Sequence, residues 1–110
     1  MKHRLDSASQ LGPVVRATRK ALRLRQDDAA GAIGVSENFL GKVERGDDSV
    51  QWSKLFQVLE QLGIRLYADI PAEAEALLDA EMKKLAARLK ETLMSRMLHA
   101  WIIAGGASAG

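Results

Sequence analysis

Few residues of this 110-residue chain are of the types that do covalent or metal chemistry, and their spacing speaks against it. His3 and His99 stand far apart, and neither belongs to a metal-ligand spacing. Cysteine is absent, which rules out a disulfide framework and a thiolate metal site. The adjacent carboxylates Asp27–Asp28 and Asp47–Asp48 fall at a helix start and in a turn, where they act as cap and turn residues. No nucleophile elbow, phosphate-cradling loop or dinucleotide glycine motif occurs. The expectation is a protein that is not an enzyme, with no metal and no cofactor.

The chemistry that remains is non-covalent, and it centres on Gln26 to Gly46, QDDAAGAIGVSENFLGKVERG. This run predicts a short helix, a sharp turn at Gly34 and a second short helix. That spacing is a helix-turn-helix, whose second helix can enter a DNA major groove. Charge is arranged to match. Residues 1–25 hold seven Lys/Arg against one Asp, residues 26–70 hold four against eight Asp/Glu, and residues 71–110 hold five of each. The net charge of +2 therefore hides a basic segment just before the motif, where it could face phosphates or simply be a solvated helix face.

The positioning elements follow from periodicity. Residues 1–8 read as a flexible arm. Ser9 is a candidate N-cap with Pro13 in the first turn, and Leu11, Val14, Val15, Thr18, Leu22 and Leu24 mark a helix over about 10–23. Gln26 opens the second helix, whose inward face is Ala29, Ala30 and Ile33. Gly34 can take positive φ at its end. Ser36 is a strong N-cap for the third helix, with Phe39, Leu40 and Val43 on its apolar side and Gly46 as its stop. Trp52, Leu55, Phe56, Val58, Leu59 and Leu62 drive a fourth helix, ended by Gly63.

Beyond Gly63 the period changes to two. Ile64, Leu66, Ala68 and Ile70 alternate with Arg65, Tyr67 and Asp69, as in a half-buried strand. The chain offers no second strand, so about 64–70 either pairs across a dimer as a two-stranded ribbon or is an extended linker. From Ala72 to Ala104 neither Gly nor Pro intervenes. Leu78, Met82, Leu85, Leu89, Leu93, Met97 and Trp101 predict a long C-terminal amphipathic helix, or two helices broken near Thr92–Ser95. The longest apolar tract is too short and too interrupted to span a membrane. Residues 105–110 read as a disordered tail. The fold class expected is mainly α: four to five helices, one short strand and the long helix. The domains are a helix-turn-helix domain over 9–71 and a helical extension over 72–104.

Gln26, Ala30, Gly34, Val35, Ser36, Leu40, Val43, Glu44 and Gly46 resemble the XRE-type (Cro-like) helix-turn-helix family, which has the lambda-repressor-like fold. The longer run GVSENFLGKVERGDDSVQWSKLFQVLEQLGI is similar to the HipB antitoxins of HipBA-type toxin–antitoxin systems. The resemblance covers about residues 9–70, and the long helix departs from it. It implies that Ser36, Glu37, Asn38, Gly41 and Lys42 read bases. Their chemistry suits the role: Asn pairs with adenine, Lys donates to guanine, and Glu accepts from cytosine N4. Gln26 matches a phosphate-binding position at a helix N-terminus. Arg45, Lys54, Arg16 and Lys20 are further phosphate candidates. Arg19 and Glu44 fall where this fold often carries an internal ion pair, and they are read as structural.

The function expected is a sequence-specific, homodimeric DNA-binding repressor acting in the cytoplasm on a palindromic double-stranded operator. The HipB resemblance makes it the antitoxin of a HipA-like serine/threonine kinase toxin, repressing its own operon. Ile64, Leu66, Ala68, Trp101 and Ile102 are the candidate dimer or partner interface. Alternatives are a phage-type or metabolic regulator without a toxin, and an interaction module that has lost DNA binding.

Overall fold

The computed structural model describes residues 1–106, and helices dominate it. A 3-10 turn over Ala8–Gln10 leads into α1 (Leu11–Ala21), α2 (Gln26–Ile33), α3 (Glu37–Glu44), α4 (Trp52–Gln61) and α5 (Ala72–Ile103). The chain divides into two compact units, the first ending at Tyr67 and the second beginning at Ala68. Residues 107–110 of the expected tail lie outside the described residues.

The first unit closes around nine buried apolar side chains: Val15 from α1, Ala29, Ala30 and Ile33 from α2, Leu40 and Val43 from α3, and Val58, Leu59 and Leu62 at α4. These are the inward faces that periodicity marks on each helix. The two alanines at 29 and 30 keep α2 thin where its neighbours approach. Leu11, Leu24, Val35, Phe39, Val50, Leu55 and Ile64 pack against this core from its edge.

The turns obey local chemistry. Gly34 takes φ of 92°, and Val35 N–H donates to Ala30 C=O, which closes α2 and aims the chain into α3. Gly46 takes φ of 79° at the end of α3. Arg23 ends α1 in the same left-handed conformation at φ 60°, an unusual position for a residue with a Cβ. Leu24 N–H then reaches Arg19 C=O at 3.2 Å.

Two expectations need correction. Ser9 does not cap the first helix. The helical run opens one turn earlier, where Ser7 is the N-cap, Ser7 N–H donates to the Gln10 side chain and Gln10 N–H donates to Ser7 C=O. The second concerns 64–70, which adopt no strand in the single chain. Ile64 is drawn inward, its N–H donating to Leu59 C=O and its side chain resting on the core, while Leu66 and Ala68 face outward. The N-terminal arm approaches this run, Lys2 Nζ standing 4.6 Å from the centroid of the Tyr67 ring, but no described segment pairs with it in a ladder, and a β-strand cannot form without one.

In the second unit α5 runs unbroken for 32 residues, with no break near Thr92–Ser95. Pro71 occupies its N-cap, and Glu73 and Glu75 lie in its first turn, a favourable place for negative charge. None of its residues is buried. No helix among the described residues is long and apolar enough to cross a membrane.

Candidate nucleic-acid interface

The site is built on α3, because its N-terminus is capped, short and presented to solvent. Ser36 Oγ accepts the Phe39 N–H at 3.0 Å, which satisfies one of the first-turn donors and fixes where the helix begins. From that start, Glu37, Asn38 and Lys42 lie on the exposed side, while Leu40 and Val43 anchor the opposite side in the core. The exposed side therefore carries one acceptor, one amide and one cation on a rigid support.

Gly41 lies within the same stretch but is buried. A Cβ there would come 3.1 Å from Arg45 Nη1 and 3.6 Å from Gln26 Nε2. The side chain that opens α2 and the one that closes α3 thus meet over Gly41. Gln26, Gly41 and Arg45 form one cluster, which brings together three of the expected contact residues. Arg25, the N-cap of α2, makes no side-chain capping bond to that helix. Instead the Asp27 carboxylate accepts the Asp28 N–H at 2.9 Å and pairs with Arg25 at 3.2 Å, so negative charge already sits at the positive end of the α2 dipole beside Gln26.

Lys54 stands on α4 with its Nζ 5.9 Å from the centroid of the Phe39 ring. Phe39, Lys42, Ser49, Val50, Gln51 and Lys54 line a shallow recess of about 160 Å³ between α3 and α4. Two lysines over a concave polar wall make an anion-attracting surface. Ser49 and Gln51 were not singled out from the sequence. Only their approach to Lys42 and Lys54 in space marks them. Arg16 and Lys20 are exposed on α1.

Beneath this surface, Arg19 and Glu44 meet in a two-pronged pair. Arg19 Nε donates to Glu44 Oε2 at 2.7 Å and Nη2 to Oε1 at 2.9 Å, with the two side chains 10% and 3% exposed. Nη1 donates to Leu24 C=O at 2.8 Å, so the same guanidinium ties down the end of α1. The hydrogen bonds to Glu44 hold the Arg19 pKa above its usual value despite burial. Gln57 adds a second tie, its amide donating to Ile33 C=O at 2.8 Å. Gly12 is the third. A Cβ on it would lie 2.7 Å from Glu44 O and 2.8 Å from Gly46 N, so α1 packs directly on the backbone that ends α3. Periodicity does not reveal that contact, because a glycine in an apolar stripe reads as a weak helix residue.

Past α3, Asp47 accepts the Ser49 N–H at 2.8 Å and the Ser49 hydroxyl at 2.6 Å. Those two bonds, helped by Lys42 and Arg45, hold its carboxyl below the ordinary carboxylate range. Among the described residues no group of three His, Cys, Asp or Glu could hold a metal ion.

A family model described as a helix-turn-helix domain matches residues 10–77, most of the chain. The chain belongs to the XRE-type helix-turn-helix family. An uncharacterised HTH-type transcriptional regulator, y4mF of Sinorhizobium fredii, is 37% identical over 73 residues, covering 66% of this chain and 96% of that protein. Among solved structures, a chain of a HipA–HipB–O2–O3 complex is similar with a TM-score of 0.57 at 19% identity, covering 63% of this chain and 97% of the other. A chain of a HipB–O4 20mer complex is similar to the same degree, with a TM-score of 0.57, 19% identity, and coverage of 63% and 97%. The shared fold is that of the HipB structures, and most of α5 lies beyond the family match.

Proposed function

We propose that this protein is a dimeric, sequence-specific DNA-binding repressor in which α3 reads the major groove. The observation that carries the reading is the exposed row Glu37, Asn38 and Lys42 on a helix whose other side is fixed in the core. The Gln26–Gly41–Arg45 cluster and the recess at Lys42 and Lys54 flank that row with donors suited to phosphate. Asn38 would pair with adenine and Lys42 with guanine, while Glu37 would accept from cytosine.

Dimerisation is supported by apolar surface around the 64–70 run. Trp52, Phe56 and Leu66 are exposed and line a groove of about 220 Å³ together with Leu11, Val50 and Leu55. Pairing of 64–70 with its copy would complete the ladder that a single chain lacks and would cover that groove. Two α3 helices would then address half-sites about 34–36 Å apart. Within this reading the protein is the antitoxin of a HipA-like kinase, repressing its own operon in the cytoplasm. The HipB-like fold supports this, and Trp101, Ile102 and Ile103, all exposed, are the candidate toxin-facing residues.

A footprint on the promoter of its own operon tests the DNA reading. The expected result is a two-fold symmetric site whose binding weakens steeply with salt. Asn38→Ala or Lys42→Ala should each cost about 1–3 kcal/mol and relax specificity at one base pair. A short asymmetric site, or binding indifferent to salt, would refute the reading. Co-purification with a neighbouring kinase-like protein tests the antitoxin assignment separately.

A further inference from the structure

The second unit carries a surface that DNA binding does not use. Leu78, Met82, Leu85 and Leu89 are 39%, 56%, 43% and 60% exposed, yet they form a stripe. At 3.6 residues per turn these four lie within an arc of roughly 60°. Their steps of four, three and four residues follow a heptad, the repeat that lets one helix lie along another. Glu75, Thr92 and Arg96 fall where the heptad would put the next apolar residues, so the strict heptad holds these four alone, and Leu93 and Met97 carry the apolar face onward in a shifted phase. Charge is segregated about its middle. Glu73, Glu75, Asp79 and Glu81 precede Lys83, Lys84, Arg88 and Lys90, with no basic residue in 72–81 and one acid, Glu91, in 82–95.

We infer that this stripe binds the α5 helix of a second copy of the chain, running antiparallel. The stripe lies wholly on α5, apart from the helices of the DNA-binding reading. An antiparallel pair that sets Leu78 against Leu89 of the partner subunit also sets Met82 against Leu85 of the partner subunit. Four apolar layers result from these four residues, and Leu93, Met97 and Trp101 lie beyond them toward the C-terminal end of α5. The same register brings Glu81 beside Arg88 of the partner subunit, twice by symmetry. It also lays each acidic 72–81 segment along a stretch of net positive charge containing Arg88, Lys90 and one acid, Glu91. A parallel pair would instead set Glu73, Glu75, Asp79 and Glu81 beside their own copies. The helix dipoles favour the antiparallel arrangement for the same reason. Lys83 and Lys84 already meet Asp79 and Glu81 within the helix, each at 3.2 Å. These are exposed pairs, worth little, and they leave the stripe face clear. The overlap, from about residue 72 to 95, spans about 35 Å of helix.

The chain has no cysteine, so engineered thiols report without interference. Full-length Leu78→Cys and Leu89→Cys proteins, each with a distinct mass tag, are oxidised separately and as a mixture. Neither residue is buried, so both variants should keep the circular dichroism of the parent. The mixture should give the cross-variant disulfide at least ten-fold above the self-product of either variant alone. Self-linking of Leu78→Cys would mean a parallel pair, and an unlinked mixture would mean no pair in this register; either overturns the inference. A dimer held only through 64–70 gives the unlinked result, so the two interfaces are told apart. Charge reversal gives an independent reading. Glu81→Arg mixed with Arg88→Glu should associate more tightly than either alone, and equal association would count against the register.

Discussion

Replacing Glu44 by alanine should unfold the first unit at temperatures where the parent is stable, and the structure says by how much. The Glu44 carboxylate accepts two charge-assisted bonds from Arg19, at 2.7 and 2.9 Å, and is 3% exposed. Its removal leaves the guanidinium beside an apolar core with only the Leu24 carbonyl as a partner. Stranding one member of a buried pair costs about 3–5 kcal/mol. A unit of this size loses roughly 4–8 °C of melting temperature per kcal/mol, so a fall of at least ~12 °C is expected. Scanning calorimetry of the full chain measures it. Glu44→Gln should fall less, because the amide oxygen still accepts one bond. The double variant Arg19→Met with Glu44→Leu is the sharper test. If desolvation of the stranded charge is the cause, removing both charges should recover most of the loss. A melting temperature for Glu44→Ala within about 2 °C of the parent would refute the reasoning. So would a double variant no better than the single one. DNA affinity measured well below the melting transition should change far less than stability, since Glu44 is buried and offers no atom to a groove.

Three further outcomes follow from the packing. Gly12→Ala should destabilise by about 1–3 kcal/mol despite alanine's better helix propensity, because the new methyl meets backbone atoms of α3 that cannot yield; chemical denaturation checks it. Arg23→Gly should stabilise by up to about 1 kcal/mol, since it relieves the left-handed conformation at φ 60°, and an unchanged denaturation midpoint would contradict this. Asp47 should titrate below an ordinary aspartate in an NMR pH series, and Ser49→Ala should move it upward. Because the folded value is depressed, its contribution to the 47–49 turn is present above the ordinary aspartate pKa and disappears as pH falls through the folded value.

Much of this architecture is written locally. Helix boundaries follow from side-chain period and from stop signals a few residues away, so Gly34, Ser36, Gly46 and Gly63 mark the segments correctly. The cap at Ser36 needs only its own turn to form. Even the continuity of α5 is local, since neither Gly nor Pro interrupts it. The first cap was misplaced because Ser7 and Ser9 are chemically equal candidates, and only the Gln10 side chain, bonded to Ser7, separates them.

What tertiary structure alone decided is which faces meet. An apolar stripe announces that it will be covered, but its period carries no label for the cover. Nothing near Gly12 in the chain says that its missing side chain admits the Val43–Gly46 backbone. Nothing near Gln26 says that its amide will lie over Gly41 beside Arg45. The Lys42–Lys54 recess likewise exists only because α4 returns past α3. The 64–70 run is of the same kind: its alternation reports a capacity for pairing, while the described residues of the single chain supply no strand to pair with. Local order is set by interactions a few residues long; contacts between elements depend on how the chain closes on itself, which no single stretch of it encodes.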